Sequence, residues 1–442
     1  MSDETPAWGI EPVPERLRVL GLLDHFLLWS NLGVSLLVIV IGSFLVPALS
    51  LPDAVVAILL GSVIGNAMLG AAGLIGADAR VPAMVLLRAP LGRVGSYIPT
   101  SLNVLQCLGW ATFEIIIIAA AAGALSDELF GVAAEPAWTL FFGGVACVLA
   151  LVGPVGVVRK FIRKFAVYFV VASLVYLTWW ALDAGGVRDL WNRSGEGGTT
   201  IWHGMDLVIA VTVSWVPLIA DYTRFSRDRV SAAVGSGFGY FVAGSWMLLL
   251  GALLVLTRGV SEPTELPAAV AAAGLAAALA LLAITVDETD EAFANVYSAA
   301  VSTQNVLPNV PQRVLVVGVS VVATIAALAI DLREYQSFLL LLGAFFVPLF
   351  GVLFADWLLR GGHYSERDVF AAPRLRVELL AAWLAGFVVY QWLVPIGPGW
   401  WLDLVDEIRP GTGGLDAIGA SVPSFAIAFV FAVAVARRTA TR

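Results

Sequence analysis

Residues 26–49 read FLLWSNLGVSLLVIVIGSFLVPAL, with no Asp, Glu, Lys or Arg. A run of more than about 20 apolar residues is long enough, as a helix, to cross a hydrocarbon core of about 30 Å. The tail before it, residues 1–25, mixes acids with Arg16 and Arg18, and the run lacks the small-residue exit of a cleaved signal peptide. It therefore reads as a transmembrane helix. Ser30, Asn31 and Gly33 fall within its first two turns and make it irregular at membrane depth.

Runs of this kind recur outward from the first. The pattern predicts twelve spans, over 26–49, 54–76, 97–123, 137–153, 165–182, 204–221, 236–257, 267–302, 314–331, 335–357, 376–396 and 419–436. Composition agrees, since 60% of the 442 residues are apolar and 13% are charged, against roughly 25% charged in a soluble domain. Basic residues are retained on the cytoplasmic side of a membrane. With a cytoplasmic N-terminus, only Arg188, Arg193, Arg258, Arg333 and Arg409 fall outside, leaving 20 of the 25 Lys and Arg inside. Both termini are then cytoplasmic, and the chain is a multi-pass protein of the cell membrane.

Charge and side-chain inventory exclude several functions. A net charge of −8 argues against nucleic acid, which is bound through clustered cations. Cys107 and Cys147 lie within apolar spans and give neither a disulfide framework nor a metal spacing. His25, His203 and His363 are far apart at span ends, so no histidine metal site and no cofactor are expected. A membrane enzyme would need a nucleophile–base pair or a metal motif, and none is evident. Trp179, Trp180, Trp202, Trp357, Trp400 and Trp401 lie near span ends, as interfacial anchors do. Between the fifth and sixth spans, Asp183 to His203 is expected to be a flexible polar loop.

Polar residues inside spans cost roughly 2.5–3.5 kcal/mol each when charged, so they mark function. In the third span Asn103, Gln106, Trp110 and Glu114 fall at about 0°, 300°, 340° and 20° on a helical wheel. One face thus offers an aromatic plane between an amide and a carboxylate, suited to a planar heterocycle. The alternative is that Gln106 and Glu114 only bond neighbouring helices. In the eighth span Asp287, Glu288, Asp290 and Glu291 cannot all be ionised in a low-dielectric interior unless a cation or protons compensate them. Asp287, Asp290, Glu291 and Ser298 share a face; a loop between two shorter helices is the other reading. The sixth span has Ser214, Trp215 and Pro217 near its middle, so spans 1 and 6 both read as interrupted. Interrupted helices in corresponding halves point to an inverted-repeat transporter site.

The stretches GLLDHFLLWSNLGVSLLVIVIGSFLVP (21–47), GADARVPAMVLLRAPLGRVGSYIP (76–99), LNVLQCLGWATFE (102–114), SWVPLIADYTRF (214–225) and DETDEAFANVYSAAVS (287–302) carry a resemblance in their order and spacing. The chain resembles the nucleobase–cation symporter family one, the cytosine, purine, allantoin and hydantoin permeases. That resemblance implies an all-α fold with a five-plus-five inverted repeat (26–182 and 204–357), two further spans over 376–436, and a tail at 437–442. It implies a nucleobase or similar planar N-heterocycle held near Asn31, Gly33, Gln106, Trp110, Glu114, Ser214, Trp215 and Asn295. It also implies a coupling cation near Asn31, Val34, Thr289 and Asp290. Two departures stand out: the hydroxyl pair of the eighth span is here Thr289–Asp290, and Glu114 stands where relatives can have glutamine. Sodium suits these oxygen ligands, with Asp290 and Thr289 as candidate ligands, and protonation of Asp290 or Glu114 is the alternative. An amino-acid carrier or a hydroxymethylpyrimidine carrier of the same fold stays open.

Overall fold

Lipid offers no hydrogen-bond partner, so a chain this apolar must satisfy its backbone within helices. The computed structural model describes residues 9–153, 167–259, 266–330 and 335–440. The basic run Arg159–Lys164, the start of the fifth predicted span, Arg333 and the chain ends 1–8 and 441–442 lie outside the described residues. Among the described residues all regular structure is helical, apart from an isolated bridge between Leu20 and Ser226.

The first span is two helices, α1 (Leu22–Asn31) and α2 (Leu36–Ser43), bent by 61° at the four residues between them. Next come α3 (Leu51–Ala79), α4 (Tyr97–Phe130), α5 (Glu135–Val152) and α6 (Val167–Asp183). In the second half α7 (Ile201–Val213) and α8 (Val216–Thr223) make the sixth span, followed by α9 (Arg229–Arg258). The eighth is α10 (Leu275–Asp287) with α11 (Thr289–Thr303), and α12 (Gln312–Ala327), α13 (Tyr335–Leu359), α14 (Val377–Leu393) and α15 (Ser421–Ala440) follow, with shorter helices such as Leu266–Ala271 and Gly399–Ile408 lying between the main ones. Among the described residues six helices, with α7 and α8 taken as one, are long and apolar enough to cross a membrane, and the bent α1–α2 pair makes a seventh when counted as one span. Four shorter apolar helices lie within α6, α12, α14 and α15.

Two expected spans differ in detail. The eighth is neither one rod nor two helices joined by a loop: α10 and α11 abut with only Glu288 between them. The sixth is interrupted by just Ser214 and Trp215, and Pro217 sits in the first turn of α8. A proline there costs nothing, because that backbone N–H has no helical acceptor. The bend is thus concentrated in the first span.

Helix α9 is the post against which α1, α2 and α3 pack. Its crossing with α2 is closed by glycines: a Cβ on Gly42 would overlap the Leu248 carbonyl, and one on Gly251 the Ile39 carbonyl. Small residues permit such close approach in membranes. Gly251→Ala is expected to destabilise the protein by about 1–3 kcal/mol through overpacking, read as a lower Tm in detergent. An unchanged Tm would show that the crossing tolerates separation.

Polar contacts tie the ends of the bundle. At one end Val13 N–H donates to the Arg80 carbonyl at 2.9 Å, and Arg18 Nε to the Ser226 carbonyl at 2.8 Å. Asp78 there accepts from Tyr364 N–H at 2.9 Å and pairs with Arg229. Asp228 starts α9 by accepting the Ser231 N–H at 2.7 Å, which holds its carboxyl below the usual range. At the other end the loop after α6 is not free: Glu196 and Gly197 N–H groups bond the Pro47 and Ala48 carbonyls at 2.9 and 3.0 Å. A six-residue helix, Val187–Asn192, forms within it. The last helix packs on α13 and α14, and its N-terminal end is tied to α7 by Asp206, which accepts N–H bonds from Ala420 and Ser421 at 2.6 and 2.9 Å. A carboxylate at a helix N-terminus opposes the macrodipole favourably.

Candidate functional site

The break in the first span is made by local chemistry. Ser35 caps α2, its Oγ accepting from the Leu37 and Val38 N–H groups at 3.1 and 3.4 Å. Glu288 completes the cap: Oε2 accepts the Leu36 N–H at 2.8 Å and Oε1 the Ser35 hydroxyl at 2.7 Å. Gly33 fits in the turn because a Cβ there would lie 3.0 Å from the Gly244 nitrogen of α9. On the other side of the turn, Asn31 Nδ2 donates to Asp290 Oδ2 at 2.7 Å and to Asp287 Oδ1 at 3.0 Å. The bent first span and the interrupted eighth are therefore joined through buried carboxylates.

The carboxylates of the eighth span fan out in two directions. Asp287 and Asp290 meet Asn31, whereas Glu288 and Glu291 approach Glu114 of α4, with one oxygen of each glutamate within 4.8 Å of the others. Thr289 turns its hydroxyl to the Val286 carbonyl at 2.7 Å. Val34 is buried in the turn, its N–H on the Asn31 carbonyl at 3.0 Å. The side chain of Asn295 donates to the Glu291 carbonyl at 3.1 Å on its own helix.

Helix α4 runs alongside. Asn103 donates to Ser302 Oγ of α11 at 2.9 Å. Gln106 Nε2 donates to the Ser214 carbonyl at 2.8 Å and to Asn103 Oδ1 at 2.9 Å. The Leu218 N–H bonds the Trp215 carbonyl instead of reaching Ser214, so Gln106 satisfies an acceptor that the interruption of the sixth span leaves over. The amide NH₂ is thus committed to helices, and Oε1 is the atom without a hydrogen-bond donor among the described residues. Ser214 Oγ returns to the Val211 carbonyl at 2.7 Å.

Aromatic side chains line the same region. Trp110 meets Phe338 edge-on with ring centroids 5.9 Å apart. Trp215 donates its Nε1–H to the Tyr240 hydroxyl at 3.0 Å. Sequence reasoning passed over Trp29, which is fully buried and meets Trp215 and Tyr222 edge-on at 5.7 and 5.9 Å. Its position two residues before Asn31, on the helix that breaks, was the available signal. Glu288, counted among the carboxylates of the eighth span, was left out of the shared face, because on a continuous helix it lies off the Asp287–Asp290 side.

The arrangement offers aromatic planes, amide and carboxylate edges and a carboxylate-lined break, all at buried depth. Residues 12–397 match the family model described as a permease for cytosine/purines, uracil, thiamine and allantoin. The cytosine permease of Escherichia coli O157:H7 is 24% identical over 418 residues, 91% of each chain. Among solved structures, Mhp1, a nucleobase-cation-symport-1 family transporter in a closed conformation with bromovinylhydantoin bound, superposes with a TM-score of 0.79. The identity is 18%, with coverage of 97% of this chain and 95% of that one. The inward-facing conformation of Mhp1 gives 0.76 at 19% identity, covering 98% and 95%. At such identity the likeness shows the fold.

Proposed function

The chain belongs to the family of permeases for cytosine/purines, uracil, thiamine and allantoin, and we propose that it imports a nucleobase or related planar N-heterocycle by cation symport. The observation that carries this reading is the single face of α4. It sets Gln106 against the interrupted sixth span and Glu114 against the eighth, with Trp110 on the same face between them and its ring edge-on to Phe338. The heterocycle stacks on Trp110 and Trp215, while Gln106 Oε1, Glu114 and Asn295 read its edge. Asn31, Gly33 and Ser214 shape the adjoining backbone.

The architecture proposed is twelve spans, five plus five in inverted repeat with two added, in the cell membrane with both termini cytoplasmic. Repeats of this kind place substrate and ion at their interface and rock around it. The coupling ion sits by Asn31, Val34, Thr289 and Asp290; sodium is the assignment and a proton the alternative. An amino-acid carrier would present free N–H groups of a half-helix to a carboxylate. Here the Leu36, Leu37 and Val38 N–H groups are already taken by Glu288 and Ser35, which weighs against it.

A thermal-shift panel on the detergent-purified protein tests the substrate class, since a bound ligand raises Tm. Cytosine, uracil, hypoxanthine, hydantoin and hydroxymethyl-aminopyrimidine are compared with leucine and phenylalanine. At least one heterocycle is expected to raise Tm and neither amino acid to do so. A shift with amino acids alone would refute the assignment.

A further inference from the structure

The glutamates of the site have an arrangement that substrate reading does not use. Glu114 and Glu288 are 0% exposed and Glu291 is 2% exposed. One oxygen from each lies within 4.8 Å of the other two. Glu114 comes from a different helix than the acidic run. Neither of its oxygens, nor Glu291 Oε1, receives a hydrogen bond from a backbone, amide or hydroxyl donor among the described residues; the polar neighbours of Glu114 are the carboxyls of Glu288 and Glu291. The Asn31 amide, which serves Asp287 and Asp290, does not serve this set.

We propose that Glu114, Glu288 and Glu291 form a second cation site, for a hard inorganic cation with oxygen ligands, separate from the Asn31–Asp287–Asp290 set. Metal–oxygen bonds of about 2.0–2.6 Å put two oxygens on one ion at most about 5.2 Å apart, and each pair of the three side chains lies within that limit. All-oxygen ligation selects sodium, calcium, magnesium or manganese over softer metals. Glu288 gives the site its consequence. Each of its oxygens already accepts one bond, from Ser35 Oγ and from Leu36 N–H, and each keeps a lone pair for an ion. An ion held there is therefore felt at the first turn of α2, on the outer side of the bend in the first span. Glu114 simultaneously belongs to the face proposed to read substrate, so occupancy of this site and of the heterocycle site are linked.

Isothermal titration calorimetry on the full-length purified protein tests the site without any heterocycle present. Sodium, calcium, magnesium and manganese chlorides are titrated separately at ionic strength held constant with choline chloride. In Asp290→Asn, which disables the first site, one of these cations is expected to bind with unchanged Kd. Both Glu114→Gln and Glu291→Gln are expected to weaken that event by tenfold or more, with Tm measured to confirm folding. The arms identify whether the ion is sodium or divalent. The proposal is overturned if Asp290→Asn binds no cation saturably, as carboxyls exchanging protons alone would give, or if Glu114→Gln binds as the unmodified protein does. Either result leaves the permease reading intact, because that reading is tested with heterocycles.

Discussion

Asp290→Asn is expected to abolish gradient-driven accumulation of substrate while leaving exchange of bound substrate across the membrane. Asp290 is buried, and its Oδ2 receives Asn31 Nδ2 at 2.7 Å across the bend of the first span. Its Oδ1 receives no hydrogen bond among the described residues, so one lone-pair face is open to an ion. The amide keeps the shape and can still accept from Asn31, but it cannot supply charge. Losing a charged partner costs about 1.5–3 kcal/mol, or about 10- to 150-fold in cation affinity. Because coupling is reciprocal, substrate affinity should lose its dependence on the ion held at Asp290. Glu114→Gln, by contrast, is expected to change substrate preference with accumulation retained. Uptake under separate sodium and proton gradients distinguishes the two. Accumulation by Asp290→Asn equal to that of the unmodified protein under both gradients would make Asp290 structural.

Trp110→Ala is expected to weaken heterocycle binding by about 1–3 kcal/mol, the scale of base–aromatic stacking, or roughly 5- to 150-fold. The ring also packs on Phe338 at 5.9 Å, so truncation opens a cavity and lowers stability as well. Two further variants separate these effects. Trp110→Phe keeps an aromatic face and should recover much of the affinity. Phe338→Ala should lower Tm with a smaller effect on Kd. Affinity unchanged in Trp110→Ala, measured by calorimetry on folded protein, would remove Trp110 from the substrate site.

The helical content was legible because apolar runs near 20 residues have few other uses. The bend of the first span was legible for a local reason: Ser30, Asn31 and Gly33 interrupt an apolar run, and Ser35 supplies the cap that restarts it. Pairing across the site was less accessible. Helical-wheel angles put Gln106 on the same face of α4 as Trp110 and Glu114, but only three-dimensional packing shows its NH₂ spent on the Ser214 carbonyl. The same limit applies to Glu288. A continuous helix turns it from the Asp287–Asp290 face, and its contact with Ser35 and Leu36 is long-range, 252 residues apart in the case of Leu36. Periodicity reports which residues share a face, and it is silent on which distant carbonyl or N–H that face meets.

Uptake of radiolabelled heterocycles by the purified protein in proteoliposomes tests the central claim most directly. An inward gradient of sodium, or of protons, is expected to drive accumulation of a planar N-heterocycle above its external concentration. Collapsing that gradient should return it to equilibrium, and excess unlabelled heterocycle should compete where leucine does not. Accumulation of an amino acid with no heterocycle uptake under either gradient would contradict the account.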